Sequence, residues 1–280
     1  MINKNLNNFI ENALLEDIGS GDHSSIASIS PHKENKAKLL IKDNGIIAGI
    51  SLAQIIFNKV DPKLDFTTIL KDGDKVNNGD IAFTIKGKTH SILKSERLVL
   101  NCMQNMSAIA TKTNQFSSLI SHLECTLLDT RKTTPLNRLI EKWAVRIGGG
   151  ENHRFGLYDM IMIKDNHIDA AGGISNAIKR TKEYLNNNNK NLDIIVEVRN
   201  IKEVKEVLQE GNIKRILLDN FNYRQTKEAV KIINKKYEVE SSGGITKESI
   251  LEYAKCGVNF ISVGELTNSL KNFDLSLKIF

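Results

Sequence analysis

The sequence predicts a mixed α/β protein whose later half is a parallel (β/α) barrel. Three observations carry this. Short apolar runs alternate with helical stretches through the second half, the pattern of a parallel sheet with crossover helices. Glu197, Asp219, Ser242 and Gly264 close successive runs at spacings of 22, 23 and 22 residues, the length of one strand–helix unit. Each run ends in a polar residue or a glycine, and that end is where a barrel carries its site. The alternative is a doubly wound open sheet. It would carry a glycine-rich turn after its first strand, and no GxGxxG occurs.

The elements follow in order. Phe9, Ile10, Ala13, Leu14 and Leu15 form a helical stripe in the opening stretch. AKLLIKDNGIIAGI reads as two short strands around a turn at Asp43-Asn44-Gly45, and SLAQIIFNKV as a helix. LDFTTIL and GDIAFTIKG are strands set apart by Gly/Asn/Asp turns. Ile92 to Ile120 has few breakers, and Leu98, Cys102, Met106 and Ile109 keep helical spacing, so one long helix leads out of the first domain. LLDTRKTTP and MIMIKDNH are the first strand ends of the second part. IIVEV, IKRILLD, YEVESSGG and VNFISVG continue them. Between these lie three helices: IKEVKEVLQEG, stopped by Gly211; YRQTKEAVKIINKK; and TKESILEYAKCG, with Thr246 as N-cap and Gly257 as stop.

Composition narrows the function classes. A net charge of +6 suits small anionic substrates, and no Lys/Arg run interleaved with aromatics argues for nucleic acid. Cys102, Cys125 and Cys256 form no CxxC, which speaks against a zinc or redox pair and for a reducing cytoplasm. The opening segment has no apolar h-region and is expected to be an amphipathic helix rather than a signal. No apolar run reaches the length of a membrane span.

The strand ends gather a constellation. Arg131, Lys132 and Lys164 are cations, with Asn152-His153-Arg154 on the loop between them. Glu197 and Asp219 are acids, and Ser242, Gly243, Gly244 and Gly264 are small. Several arginines and lysines imply a polyanionic ligand. Bare glycines before a helix N-terminus suit a phosphate. Two facing carboxylates suit Mg²⁺ or sugar hydroxyls. Together they suggest a phosphorylated sugar beside a carboxylated ligand. Each motif also has a purely structural reading. Thr133-Thr134-Pro135 can cap a helix with Pro at its first position. Asp219-Asn220 can be an N-cap. His153 can be a hydrogen-bonded structural histidine. Gly148-Gly149-Gly150 can be a mobile loop and SSGG a turn.

LLDTRKTTP and EKWAVRIGGGENHRFGLYDMIMIKDNH strongly resemble the quinolinate phosphoribosyltransferases, the carboxylating nicotinate-nucleotide pyrophosphorylases. ALLEDIGSGDHSS, SERLVLNCMQNMSAIAT, VEV, LLDN, SSGGI and SVGELTNS extend the resemblance over nearly the whole chain. It implies an N-terminal α/β sandwich domain at 1–107, an open, incomplete (β/α) barrel at 108–265, and a C-terminal segment, 266–280, packing back on the first domain. It implies the reaction of quinolinate with 5-phosphoribosyl 1-diphosphate, assisted by Mg²⁺, to give nicotinate mononucleotide, diphosphate and CO₂. It further implies a homodimer or higher homo-oligomer in which Arg97 is donated in trans, with no nucleic acid or membrane partner.

The resemblance assigns Arg131, His153, Arg154 and Lys164 to the dicarboxylate pocket, Lys132 and Lys164 to the diphosphate, and Thr130 to substrate binding. Glu197 and Asp219 fall to the ribose hydroxyls and metal. Ser242, Gly243, Gly244 and Gly264 fall to the 5′-phosphate. Lys132, Lys164, Glu197 and Asp219 are the expected catalytic set. The chain departs from the family's pattern where Leu136-Asn137 follow Thr-Thr-Pro, and at Glu265 and Asn268 near the phosphate residues. Competing readings are a same-fold paralogue associated with molybdenum transport, a nicotinate-specific transferase, and a non-catalytic phosphosugar-binding barrel.

Overall fold

The computed structural model describes residues 2–280, with side chains described from Lys4 onward, so the opening helix is tested from residue 2. The chain divides into two compact units. The first comprises residues up to Asn114 together with Thr133–Gly149 and Thr267–Phe280; the second comprises Gln115–Lys132 and Gly150–Leu266.

The first unit opens with α1 (Ile2–Ile18) and α2 (His23–Ser28). Leu6 and Ile10 of α1 are buried, whereas Leu15, expected on the apolar stripe, is 70% exposed. Then come β1 (Glu34–Ile41), β2 (Gly45–Ile46), α3 (Ile50–Val60), β3 (Asp65–Thr68), β4 (Lys75–Val76) and β5 (Ile81–Lys88). The 32-residue α4 (Thr89–Ile120) follows, burying Leu98, Cys102, Met106 and Ile109 as their spacing predicts. The boundary between the units falls inside this helix.

Alternation in β1 buries Ala37, Leu39 and Ile41 on one face, the period-2 signature of a half-buried strand. Phe57 of α3 meets Phe83 of β5 and Phe66 of β3 at centroid separations of 5.9 Å, so the helix covers the sheet through aromatic contacts. The predicted pair of strands around Asp43-Asn44-Gly45 exists but does not pair with itself. β1 lies between β5 and the C-terminal β12 (Leu275–Ile279), while β2 pairs with β4. Backbone donors of β1 find partners far along the chain, and the local turn does not compete with them.

The remaining elements are β6 (Thr126–Leu128), α5 (Arg138–Ile147), β7 (Ile161–Ile163), α6 (Asp165–Ala171), α7 (Ile174–Asn187), β8 (Ile194–Val198), α8 (Ile201–Glu210), β9 (Arg215–Asp219), α9 (Tyr223–Ile233), β10 (Glu238–Ser242), α10 (Ile250–Ala254), β11 (Phe260–Ser262) and α11 (Glu265–Asn268). Strands β6 to β11 form a parallel sheet in the order β6-β11-β10-β9-β8-β7. From β7 to β11 neighbours in sequence are neighbours in space, and the last strand returns to pair with the first. That is a barrel's order. β6 and β7 are not paired with each other, so the barrel is open between its first two strands.

Several caps differ from the sequence reading. α5 starts at Arg138 with Asn137 before it, so Pro135 is not its first residue. Thr134 to Asn137 instead form a turn closed by the Asn137 N–H on the Thr134 carbonyl, with Leu136 at φ +63°. α9 is capped by Asn222, whose side chain accepts the Gln225 N–H, which releases Asp219-Asn220 from the capping reading. α10 begins after Ser249, not Thr246. Gly211 does stop α8, in a positive-φ conformation. Gly148 ends α5 as a packing glycine: a Cβ there would sit 2.6 Å from the Thr113 side chain.

Candidate active site

The parallel register explains why polar residues collect on one face. Glu197 pairs with Leu217, Leu217 with Glu240, and Asp219 with Ser242. Paired residues share a face and alternate residues return to it. Glu197 of β8, Arg215 and Asp219 of β9, and Glu238, Glu240 and Ser242 of β10 therefore project from the same side. The opposite side of these strands carries Ile194, Val196, Val198, Ile216, Leu218 and Val239, all buried. One face is thus largely a hydrocarbon packing surface, and the other carries the charged side chains together with Ile195 and Leu217.

At the C-terminal strand ends the expected residues come together in part. Lys164, directly after β7, donates from Nζ to Glu197 Oε2 at 2.8 Å; the lysine side chain is 43% exposed and the glutamate 10%. Asp219 is held by Asn220, whose Nδ2 donates to Asp219 Oδ2 at 2.7 Å. Asn220 adopts φ +55°, and its N–H donates to the Ser242 carbonyl. Gly243 and Gly244 both have positive φ, and a Cβ on Gly243 would meet the Asn220 backbone nitrogen at 2.8 Å. The SSGG turn is therefore packed against the end of β9.

Thr130 accepts the Lys132 N–H at 3.1 Å. The Lys132 side chain crosses Gly264, where a Cβ would lie 2.9 Å from its Cδ. Bareness at 264 thus leaves room for a lysine as well as for a ligand. Arg131 and Lys132 are exposed, and Arg154 is buried. Burial depresses the Arg154 guanidinium, and the charge of nearby Arg131 depresses it further, with Asp159 opposing. Two guanidiniums repelling each other are a ready receptor for an anion. Arg97 is exposed on α4, in the first unit, while every other expected site residue lies in the second.

Sequence reasoning missed three members of this face. Asp129 is fully buried; Oδ1 accepts the His153 N–H at 2.8 Å and Oδ2 accepts from Asn152 Nδ2 at 2.7 Å. Glu240, also fully buried, takes Arg215 Nη1 at 2.9 Å and lies 3.4 Å from His153 Nε2. Arg215 stacks on Phe260, 3.7 Å from the ring centroid. Burial works to raise the Glu240 carboxyl, but His153 and Arg215 outweigh it, and the carboxyl sits below its usual range. The available signal was a lone acid inside a short buried strand, in VESS as in VEV.

Among the described residues no three His, Cys, Asp or Glu side chains cluster as metal ligands. Burial pushes the Cys102 and Cys125 thiols up to about 12, so neither supplies a thiolate nucleophile. The two helices that begin near the small residues are short, α10 with five residues and α11 with four, so anion binding at 242–244 and 264 would rest on local backbone N–H groups.

An open parallel barrel with an acid–lysine pair and bare glycines at its strand ends, and two neighbouring guanidiniums, has the layout of the barrel enzymes, which carry their sites on that face. A family profile described as Quinolinate phosphoribosyl transferase, N-terminal domain, matches residues 22–107, and its C-terminal-domain counterpart matches residues 109–278. The chain belongs to the quinolinate phosphoribosyl transferase family. It is 46% identical over 285 residues to the chloroplastic nicotinate-nucleotide pyrophosphorylase (carboxylating) of Arabidopsis thaliana, covering 96% of this chain and 81% of that one. It is 38% identical over 278 residues to the probable nicotinate-nucleotide pyrophosphorylase (carboxylating) of Bacillus subtilis, covering 99% and 93%. The solved structure of the Francisella tularensis nicotinate-nucleotide pyrophosphorylase matches with a TM-score of 0.91 at 38% identity, over 99% of this chain and 97% of that one.

Proposed function

We propose that this chain transfers the phosphoribosyl group of 5-phosphoribosyl 1-diphosphate to quinolinate, giving nicotinate mononucleotide, diphosphate and CO₂ in NAD biosynthesis. The observation that carries the reading is the nearness of Arg131 to buried Arg154, two like charges that an anion can bridge, because a dicarboxylate needs several cations. Family membership over both halves of the chain supports it.

Arg131, His153 and Arg154, with Thr130, hold quinolinate with its ring nitrogen toward C1 of the ribose. Lys132 and Lys164 lie on the diphosphate side and stabilise charge as that group leaves. Lys164 begins bonded to Glu197, so an incoming phosphate oxygen exchanges one anionic partner for another. Glu197 and Asp219 hold the ribose hydroxyls, and Ser242, Gly243, Gly244 and Gly264 the 5′-phosphate. The nitrogen forms a bond to C1 as the C1–oxygen bond to diphosphate breaks. The ring then carries a positive charge, which stabilises the carbanion left when CO₂ departs from C2. A proton on that carbon completes the product. The chain's task is orientation and charge placement; no protein nucleophile is required.

Mg²⁺ fits as the cofactor. Its oxygen ligands on this chain would be Glu197 and Asp219, each of which has one oxygen engaged by a neighbouring side chain. Two carboxylates suit an ion bound mainly through substrate phosphates and water. When bound, it supplies charge neutralisation on the departing diphosphate. We also infer a homodimer or larger assembly in which exposed Arg97 reaches the site of a second copy, and a reducing, cytoplasmic setting for the three unpaired cysteines. No helix among the described residues is long and apolar enough to cross a membrane.

The test is direct. Incubation with quinolinate, 5-phosphoribosyl 1-diphosphate and Mg²⁺ yields nicotinate mononucleotide and CO₂ in equal amounts, chelation of the metal stops it, and nicotinate in place of quinolinate yields little. Preferential turnover of nicotinate overturns the substrate reading. Mixing inactive Arg97→Ala with inactive Lys132→Ala restores part of the activity if Arg97 acts in trans. No recovery after verified subunit exchange rejects the shared site.

A further inference from the structure

We propose that Glu240 is a positioning residue for the quinolinate end of the site, fixing the His153 ring and, through it, the backbone of Arg154. This rests on the reading of the reaction given above. His153 and Arg154 lie on a segment without helix or strand between β6 and β7, so something else must hold them. Asp129 holds the backbone of His153 from below. Glu240 faces the ring: its Oε2 is 3.4 Å from His153 Nε2 and 2.9 Å from Arg215 Nη1.

The ring's orientation follows from its other nitrogen. His153 Nδ1 accepts the Arg154 N–H at 2.7 Å, so Nδ1 carries a lone pair and the proton sits on Nε2, toward the carboxylate. Only this tautomer serves both contacts. A proton on Nδ1 would set N–H against N–H and release the backbone of Arg154, whose guanidinium donates from Nη1 to the Met160 carbonyl at 3.2 Å. The chain Arg215–Glu240–His153–Arg154 therefore ties the substrate arginine to two central strands of the barrel.

Fold stability alone does not account for this arrangement. Buried ionic groups are often replaceable by apolar ones without loss of stability. Here Glu240 Oε1 is left buried without a hydrogen-bond partner, and Oε2 meets His153 Nε2 at ion-pair rather than hydrogen-bond geometry, a cost that function rather than folding explains. Arg215 is wholly committed to Glu238, Glu240 and the Phe260 ring, so it acts as the anchor of Glu240 rather than as a ligand-binding group.

Glu240→Gln tests the assignment. The amide has one oxygen, and the permanently charged Arg215 claims it, so His153 Nε2–H meets an NH₂ group and the ring loses its orientation. The expected result is a rise of about tenfold to a hundredfold in KM for quinolinate, with KM for 5-phosphoribosyl 1-diphosphate changed less than about twofold. Glu240→Asp, which keeps the carboxylate, recovers part of the loss. Imidazole ¹⁵N spectra provide a readout independent of turnover: the wild-type protein shows His153 with Nε2 protonated and Nδ1 bare, and Glu240→Gln loses that signature. Equal rises in both KM values, or an unchanged His153 spectrum in Glu240→Gln, overturn the proposal. If Glu240→Gln does not fold, Glu240→Asp decides by the same two measurements. If the wild-type protein turns over no quinolinate, the reaction reading fails by itself, and the spectra alone still settle whether Glu240 holds His153.

Discussion

Glu197 and Glu240 stand in the same row of the parallel sheet, on the same face, separated by Leu217. Both are buried glutamates inside short apolar strands. Their partners differ. Glu197 meets a lysine whose side chain is 43% exposed, on the segment just past its strand. Glu240 is sealed between Arg215, only 10% exposed, and a buried histidine. A lysine on a flexible stem can exchange its carboxylate for a substrate phosphate, whereas a guanidinium held by two acids and a ring cannot. The same residue type in the same register thus meets an exchangeable cation in β8 and a fixed one two strands away in β10. What separates them is the mobility and exposure of the partner.

That contrast can be broken at its rigid side first. Arg215→Ala leaves Glu240 buried without its cation, and the expected cost is about 3–5 kcal/mol in urea-induced unfolding. The acid limb of stability should change with it. Glu240 has a depressed carboxyl in the folded protein, so its contribution is fully present above the unfolded value of about 4.3 and is lost as pH falls through the folded value. Wild-type stability therefore declines below the usual carboxylate range. In Arg215→Ala that decline starts at higher pH, because one of the groups that depress the carboxyl is gone. A melting profile against pH that matches the wild type would remove Arg215 from the brace.

The exposed side predicts the opposite signature. Arg131→Ala should lower kcat/KM for quinolinate about a hundredfold, from the loss of a charge-assisted contact, with the melting temperature almost unmoved. Steady-state kinetics and calorimetry on the same sample separate the two outcomes. Gly264→Ala is the next smaller test. The added methyl displaces Lys132 and should lower kcat between about tenfold and a hundredfold. A normal rate there would show that the Lys132 position seen across Gly264 is not the working one. The smallest effect lies outside both glutamates. Leu136 is 95% exposed at φ +63°, so Leu136→Gly relieves strain and should raise stability by about 0.5–1 kcal/mol. A destabilised variant would mean that the leucine makes a contact absent from the single chain.

The legible parts of the molecule were those written at short range. Periodicity in IIVEV, IKRILLD and YEVESSGG located β8, β9 and β10, and their spacing announced a barrel. Arg131 and Lys132 stood out because two adjacent cations at the end of an apolar run are uncommon. Caps were less legible. Asp219-Asn220 and Thr246 look like N-caps, yet Asn222 and Ser249 hold those positions. Several Asn, Asp, Ser and Thr side chains compete at each helix start, and packing chooses among them. β1 looked paired with its sequence neighbour, yet its partners, β5 and β12, lie some 50 and 240 residues away. Asp129 and Glu240 passed unnoticed because their roles depend on partners 23 or more residues distant.

The sequence by itself determined which residues alternate on each strand, where helices stop at glycines such as Gly211, and which charges reach the strand ends. These depend on backbone geometry and the 2.0 and 3.6 periodicities, which act over a few residues. The tertiary structure alone decided which cation each acid meets, which nitrogen of His153 accepts the Arg154 N–H and which faces Glu240, and that the barrel stays open between β6 and β7. Those outcomes follow from strand register and burial, where dielectric and distance are set by segments remote in the chain.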